Sequence, residues 1–411
     1  MTAWRPLLDG RDAERAWEAI LGIAEWLRED AETFEPTTLP TAARGTAGAA
    51  LFYAYLGAAT DNEQWTGIAH HLIQHSIDAL SNRPLPADLY EGFTGIGWAV
   101  GHLEGMLFEP GEDDDDPIGA SVLHMLGRPE LFARGDFALP GGLCGYGIYA
   151  LDALPRPNAR RSLELLVDRL IEIGEPADGG FSWFSPAERL PDGERDQALR
   201  GSFNLGVQNG VAGVISVLGM CAGAGVMSDE QRAIYDQSVA WLLAQKPHAG
   251  REAWCDGNAG IAAALFTAAR HCGHAGWEAA ALDLARTAAR RPVEGSGVVD
   301  ARLCHGSAGL AHLFNRMHQA SVDPLLAEAA RRWFRHTLDI RHALPSPGIA
   351  GYPFFNPPQN KWRNFAGFVE GACGVGLGLL AGVSSLEPRW DRFFAVSVPL
   401  EPRPPEPSAT A

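Results

Sequence analysis

Two kinds of apolar stretch alternate along this chain. Residues 14–30, 62–80, 120–131, 159–174, 229–245, 277–290 and 324–342 are amphipathic, with charges three or four positions apart on one face. Leu163, Leu166, Leu170 and Ile173 mark the apolar stripe of the fourth. The second kind, at 51–56, 96–103, 147–154, 214–218, 261–269, 310–314 and 375–380, carries few charges and is rich in Ala and Gly. An amphipathic helix covers a core from one side, whereas a helix apolar all round has to be buried on every side. The alternation therefore predicts outer and inner helices in pairs.

Each inner stretch follows a Gly-x-small-Gly signature. The first glycines of the seven copies are Gly45, Gly92, Gly142, Gly210, Gly257, Gly306 and Gly371. Successive spacings of 47, 50, 68, 47, 49 and 65 residues make a repeat. The shorter spacings fit two helices of roughly average length and two turns. Glycine at such a turn allows close backbone approach or positive φ. Seven pairs whose inner helices are this apolar are expected to close on themselves. The predicted fold is all-α, a double-layered α/α toroid of about seven inner and seven outer helices in one domain, residues 1–400. Residues 401–411 form a Pro-rich tail with the composition of a disordered segment.

The two long spacings hold insertions of about 20 residues at 179–201 and 343–366, too short for a domain. They carry Phe181, Trp183 and Phe184, and Phe354, Phe355 and Trp362. Aromatic loops at the mouth of a toroid suit a lid or a peptide-docking surface, with Trp183 the candidate contact; a packed loop is the alternative.

The formal net charge of −17 argues against nucleic acid or an anionic membrane surface as the main partner. Part of it is Glu112 and the four aspartates at 113–116, read as a solvated loop. No apolar run approaches the roughly 20 residues that span a bilayer, and the first residues lack a secretory pattern. Six cysteines without close pairs suit a reducing, cytoplasmic setting. A closed ring buries its core unaided, so a monomer suffices.

The repeat also supplies a register for chemistry. The two residues ahead of each first glycine read Ala43-Arg44, Tyr90-Glu91, Pro140-Gly141, Gln208-Asn209, Cys255-Asp256, Cys304-His305 and Val369-Glu370. These fourteen residues are expected to ring one mouth of the toroid. They are mostly polar beside apolar helices, which is where a site belongs. Cys255 and Cys304 hold the same place in adjacent repeats and should be neighbours. With His305 they suit a Cys2His zinc set with a fourth position open, the catalytic rather than the structural pattern; two core cysteines and a satisfied histidine are the alternative. Tyr90, Glu91 and Glu370 are candidate substrate contacts, although a salt bridge to Arg44 also accounts for the acids.

The chain resembles the LanC-type lanthionine cyclases of lanthipeptide biosynthesis. The resemblance rests on the glycine repeats, Arg251-Glu252-Ala253-Trp254-Cys255, Leu303-Cys304-His305-Gly306, Asn204-Leu205-Gly206, Glu370-Gly371 and Trp390-Asp391, and spans nearly the whole chain. It implies one zinc on Cys255, Cys304 and His305. It also implies a dehydrated precursor peptide as substrate, a dehydratase as a second partner, and addition of peptide Cys thiols to dehydroalanine or dehydrobutyrine. Arg251 matches a family arginine. Asn209 stands where the family usually has a proton-transferring His, Ala138 where it has an Asp, and Asp256 where it often has a Tyr. Since an amide does not exchange a proton near neutrality, three activities remain open. They are a cyclase with water or Asp256 delivering the proton, an enzyme adding a different thiol, and a scaffold that binds precursor and dehydratase.

Overall fold

The computed structural model describes residues 3–31, 39–109, 117–133, 135–189, 200–246 and 250–401. The acidic run at 112–116 and the tail from 402 lie outside the described residues. In chain order the helices are α1 (Gly10–Ala31), α2 (Thr46–Thr60), α3 (Glu63–Asn82), α4 (Phe93–His102), α5 (Pro117–Leu126), α6 (Pro129–Ala133), α7 (Leu143–Asp152) and α8 (Pro157–Ile173). They continue with α9 (Val211–Gly223), α10 (Asp229–Leu243), α11 (Asn258–Cys272), α12 (Ala275–Ala289), α13 (Ser307–Ser321), α14 (Pro324–Ile340) and α15 (Ala372–Val383).

The seven inner helices are α2, α4, α7, α9, α11, α13 and α15. Each touches the next, and α15 returns to α2, so the ring is closed. The others form the outer layer. The expected outer helix at 120–131 is instead two, α5 and the short α6. Pro129 has no amide to donate and disfavours helix at the residue before it, so the chain breaks at Gly127 and Arg128.

The layers begin differently. Outer helices take side-chain caps: Asp323 accepts from the amides of Leu325 and Leu326, and Ser228 with Gln231 closes a capping box on α10. Inner helices begin at the signature glycine with no side-chain cap. Their first amide is taken by the carbonyl six residues before that glycine, as in Ser307 N–H to Asp300 O at 2.9 Å and Val211 N–H to Asn204 O at 2.8 Å.

Positive φ is not the reason for the signature. Gly45 and Gly210 have φ of −116° and −140°, which any residue adopts. Close approach is the reason. A Cβ on Gly309 would fall onto the carbonyl oxygen of Leu303, and the second glycine of every copy faces the carbonyl six residues back in the same way.

A belt of backbone hydrogen bonds joins the seven turns. Ala43 N–H donates to Tyr90 O (3.1 Å), Tyr90 to Pro140 (3.0 Å), Leu139 to Gln208 (2.8 Å) and Val207 to Cys255 (2.9 Å). Cys255 donates to Cys304 (3.3 Å), Cys304 to Val369 (3.2 Å), and Val369 back to Ala43 (3.1 Å). The belt uses no side chain, which leaves the side chains at these positions available for chemistry.

A 3₁₀ turn, Arg389–Phe394, plugs the centre of the ring. Its Phe393 and Phe394 pack with Phe368, Tyr90, Trp98 and Trp254. The Trp254 indole donates to Phe394 O at 2.8 Å, and the Ser216 hydroxyl donates to Ala395 O at 2.5 Å. Asp391 is fully buried, 2.7 Å from Arg316 Nε and 2.9 Å from His312 Nε2.

The two insertions are not plain loops. The first brings β2 (Gly180–Ser182), paired antiparallel with β1 (Glu175–Ala177) just ahead of it, and the second carries an antiparallel hairpin of β3 (Phe354–Asn356) with β4 (Lys361–Arg363). Trp183, expected as a substrate contact, is wholly buried. Its indole donates to Leu170 O at 2.7 Å and its ring meets Phe181 edge-on. It pins the first hairpin to α8 and has no face left for a ligand.

Candidate metal centre

The belt sets the site. Cys255 and Cys304 both stand two residues ahead of a signature glycine, and the hydrogen bond from Cys255 N–H to Cys304 O places them side by side. His305 follows in sequence. The two Sγ atoms and an imidazole nitrogen all lie within 4.8 Å of one another. Around a tetrahedral zinc with bonds of about 2.0–2.3 Å, such atoms stand roughly 3.5–3.8 Å apart. Side-chain adjustment alone closes that difference, so the residues fit a soft divalent ion. Among the described residues this is the one such group of His, Cys, Asp and Glu.

The protonation states suit a ligand set. Burial, then Arg302 and Arg251, hold His305 well below the usual imidazole range, so it is neutral and its lone pair is free. The hydrogen bond with Cys304, then burial, push the Cys255 thiol well up. Without a metal the thiol keeps its proton, and a bound dication would displace it.

The sulfurs have polar company. Cys304 Sγ donates to Gln208 Oε1 at 3.3 Å, and Cys255 Sγ to Asp256 Oδ1 at 3.2 Å. Arg251 Nη2 lies 3.9 Å from Cys255 Sγ and 3.2 and 3.3 Å from the two Asp256 oxygens. Arg251 Nε is buried and has no hydrogen-bond partner among the described residues. Glu252 faces the other way. Its carboxylate takes Asn258 Nδ2 and the Ala259 amide, each at 3.2 Å, and so holds the start of α11.

The structure gathers some predicted residues and disperses others. Arg251 and Asp256 adjoin Cys255. Asn209 is part-exposed on the belt beside Gln208. Tyr90 is 7% exposed, and Cys304, Cys255 and Glu370 all act on its hydroxyl. Glu91 is tied to Arg44 Nε at 3.1 Å and to the Thr41 hydroxyl at 3.1 Å, the salt bridge that was the alternative to substrate contact. Asp136, two residues ahead of Ala138, accepts the Ala138 amide at 2.9 Å and fixes its own turn.

Gln208 escaped selection in the sequence. The signal was its register, since it occupies the same position as Cys255 and Cys304. Phe393, on which the Tyr90 ring stacks at 5.1 Å and 15°, carried no local signal. A cavity of about 850 Å³, lined by His102, Asp152, Arg389 and Arg392, opens where the inner helices end. The thiols lie where the inner helices begin, so this volume does not mark the candidate centre.

A closed α/α ring with a Cys2His group among the turns that start its inner helices defines the class: a helical toroid with a candidate soft-metal centre at one mouth. The chain belongs to the lanthionine synthetase C-like family, whose profile, described as "Lanthionine synthetase C-like protein", matches residues 37–395. Among solved structures it is similar to nisin cyclase, with a TM-score of 0.69 and 17% identity over 91% of this chain and 95% of that one. That likeness establishes the fold. A search of the curated proteins found no match.

Proposed function

We propose that this protein is a zinc-dependent peptide cyclase that adds cysteine thiols to dehydroalanine or dehydrobutyrine in a dehydrated precursor peptide. The observation that carries the reading is the convergence of Cys255, Cys304 and His305 within 4.8 Å at the mouth of the ring. Three protein ligands leave a fourth position for a substrate atom, and a pure scaffold has no use for an open position. Zinc held there would supply Lewis acidity that keeps an incoming thiol deprotonated near neutral pH.

The chain's own residues do the rest. Arg251 lies beside Cys255 and places positive charge next to the ligand sulfur, offsetting negative charge that gathers there. Asp256 is held by Arg251 and is part-exposed, so it can exchange protons with solvent. It is the side chain at the centre fitted to carry the proton that Asn209 cannot. Enclosure in the mouth holds thiol and alkene together, which supplies proximity. The protein acts in the cytoplasm, with a dehydratase upstream.

The test begins with metal analysis. Freshly purified protein is expected to hold about one zinc per chain, the number a single Cys2His set accommodates. It should convert a dehydrated Cys-containing peptide to a product of unchanged mass that resists thiol alkylation. Protein that binds no zinc from unchelated buffer, or a zinc-loaded protein that leaves such peptides alkylatable, would sink the reading.

A further inference from the structure

Besides Arg251 Nε, a second polar atom at the mouth is buried without a partner among the described residues. The Tyr90 hydroxyl is buried and makes no hydrogen bond among the described residues. Tyr90 stands two residues ahead of its signature glycine, the register that also places Gln208, Cys255 and Cys304. The backbone cannot swing it away, because its N–H is held by Pro140 O and its carbonyl by the Ala43 amide. Nor is the ring free to turn, being stacked on Phe393. The belt fixes Tyr90 three turns from Cys255 one way round and three turns from Cys304 the other way, so it stands across the mouth from the thiol pair.

Leaving a phenol buried and unpaired costs folding free energy. A group kept at that cost at the mouth that holds a candidate centre is set for an acceptor that arrives with a ligand. Of the polar atoms a dehydrated peptide brings to the reacting carbon, the carbonyl oxygen of the dehydro-residue is a pure acceptor.

We propose that the Tyr90 hydroxyl donates a hydrogen bond to the carbonyl oxygen of the dehydro-residue and holds the negative charge that develops there. The assignment rests on the cyclase reading of the site. In the step, a thiolate electron pair forms the S–Cβ bond. The Cα=Cβ π pair moves into the Cα–carbonyl unit, giving an enolate, and Cα then takes one proton, delivered from solvent through Asp256. Tyr90 keeps its proton throughout. A phenol keeps its proton near neutral pH, so the O–H is present for the purpose.

The test is Tyr90→Phe, which keeps the ring on Phe393 and removes only the oxygen. Three readouts are taken: unfolding midpoint without ligand, affinity of metal-free protein for a dehydroalanine peptide that lacks Cys, and kcat with KM on a Cys-containing dehydrated peptide. The variant should be as stable as the parent or more so, since a buried unpaired hydroxyl is gone. It should bind the Cys-free peptide about tenfold more weakly, the worth of one buried neutral hydrogen bond. Its kcat should fall about 10²–10³-fold, as for loss of an oxyanion donor, with zinc content unchanged.

A variant less stable than the parent would show that the hydroxyl has a structural partner and would overturn the assignment. Parental affinity and kcat would overturn it as well, while leaving the cyclase reading intact. If the parent cyclises nothing yet the Cys-free peptide still discriminates Tyr from Phe, the hydrogen bond stands and the cyclase reading falls.

Discussion

The ring contains two buried polar clusters that are built in opposite ways. At the plug, Asp391 is matched by Arg316 and His312, Arg316 also reaches Glu387 at 2.9 Å, and its guanidinium lies 4.7 Å from the Trp4 ring. At the mouth, two thiols and a neutral imidazole stand together with Arg251 beside them, and the unpaired Tyr90 phenol belongs to the same belt of turns. The plug's charges meet one another within the chain and hold a segment in place, although Asp391 Oδ1 and His312 Nδ1 make no hydrogen bond among the described residues. At the mouth the Tyr90 hydroxyl and Arg251 Nε are left without hydrogen-bond partners among the described residues, as the proposed metal and substrate would require. The contrast separates residues kept for stability from residues kept for chemistry.

Cys304→Ala should have the largest effect and fall on one side only. Bound zinc should drop to near none and cyclisation below detection, while helical circular dichroism persists, because the belt bonds at 304 are backbone bonds. Loss of helical signal would mean that the mouth is structural after all. Asp256→Asn comes next. If Asp256 carries the proton, turnover should fall about 10²–10⁴-fold at unchanged zinc content, as single-turnover mass spectrometry in D₂O would show. Turnover within a few-fold of the parent would leave water as the donor.

The plug should give the reverse pattern. Asp391→Ala leaves Arg316 buried without its main counter-charge and should cost about 3–5 kcal/mol in urea unfolding. The folded fraction should still bind zinc. Loss of zinc at full stability would break the division between the clusters.

Acid should also act at the plug end. His102 is half-buried at the cavity, and desolvation lowers its pKa to about 4 despite the nearby Asp152 and Asp391, with Arg389 and Arg392 acting in the same direction as burial. The unfolded chain binds the proton first, so stability is full above about pH 6.5 and is lost as pH falls toward 4, by up to about 3 kcal/mol. His102→Gln, which keeps a partner for the Tyr55 hydroxyl now 2.9 Å from His102, should flatten that decline between pH 7 and 4.5. An unchanged slope would assign the acid sensitivity elsewhere. Glu91→Gln should matter least. Its bond to the 60%-exposed Arg44 is a surface pair, worth less than about 1 kcal/mol.

Much of the molecule was legible in the sequence because its signals are local. A stripe such as Leu163, Leu166, Leu170 and Ile173 declares an outer helix by spacing alone, and the uncharged run at 375–380 declares an inner one. The equal register of Cys255 and Cys304 exposed the candidate ligands for the same reason: a repeat converts sequence position into spatial position. Trp183 misled because an aromatic residue in an inserted loop reads alike whether it faces a ligand or a core. The carbonyl of Leu170 decides which, and it lies in another element. The break at Pro129 was locally readable, but the helical period across it was the stronger pattern.

By itself the sequence determined the two helix layers, the seven turns, the closure that such apolar inner helices demand, and the register that aligns the chemistry. Only the tertiary structure decided that residues 389–394 fill the centre, that Gln208 meets Cys304, and that Tyr90 stands across the mouth with its hydroxyl unpaired. The physical reason is range. Helical period and glycine turns are fixed by neighbours a few residues apart, whereas the company a side chain keeps inside a ring depends on segments that meet only once the ring has closed.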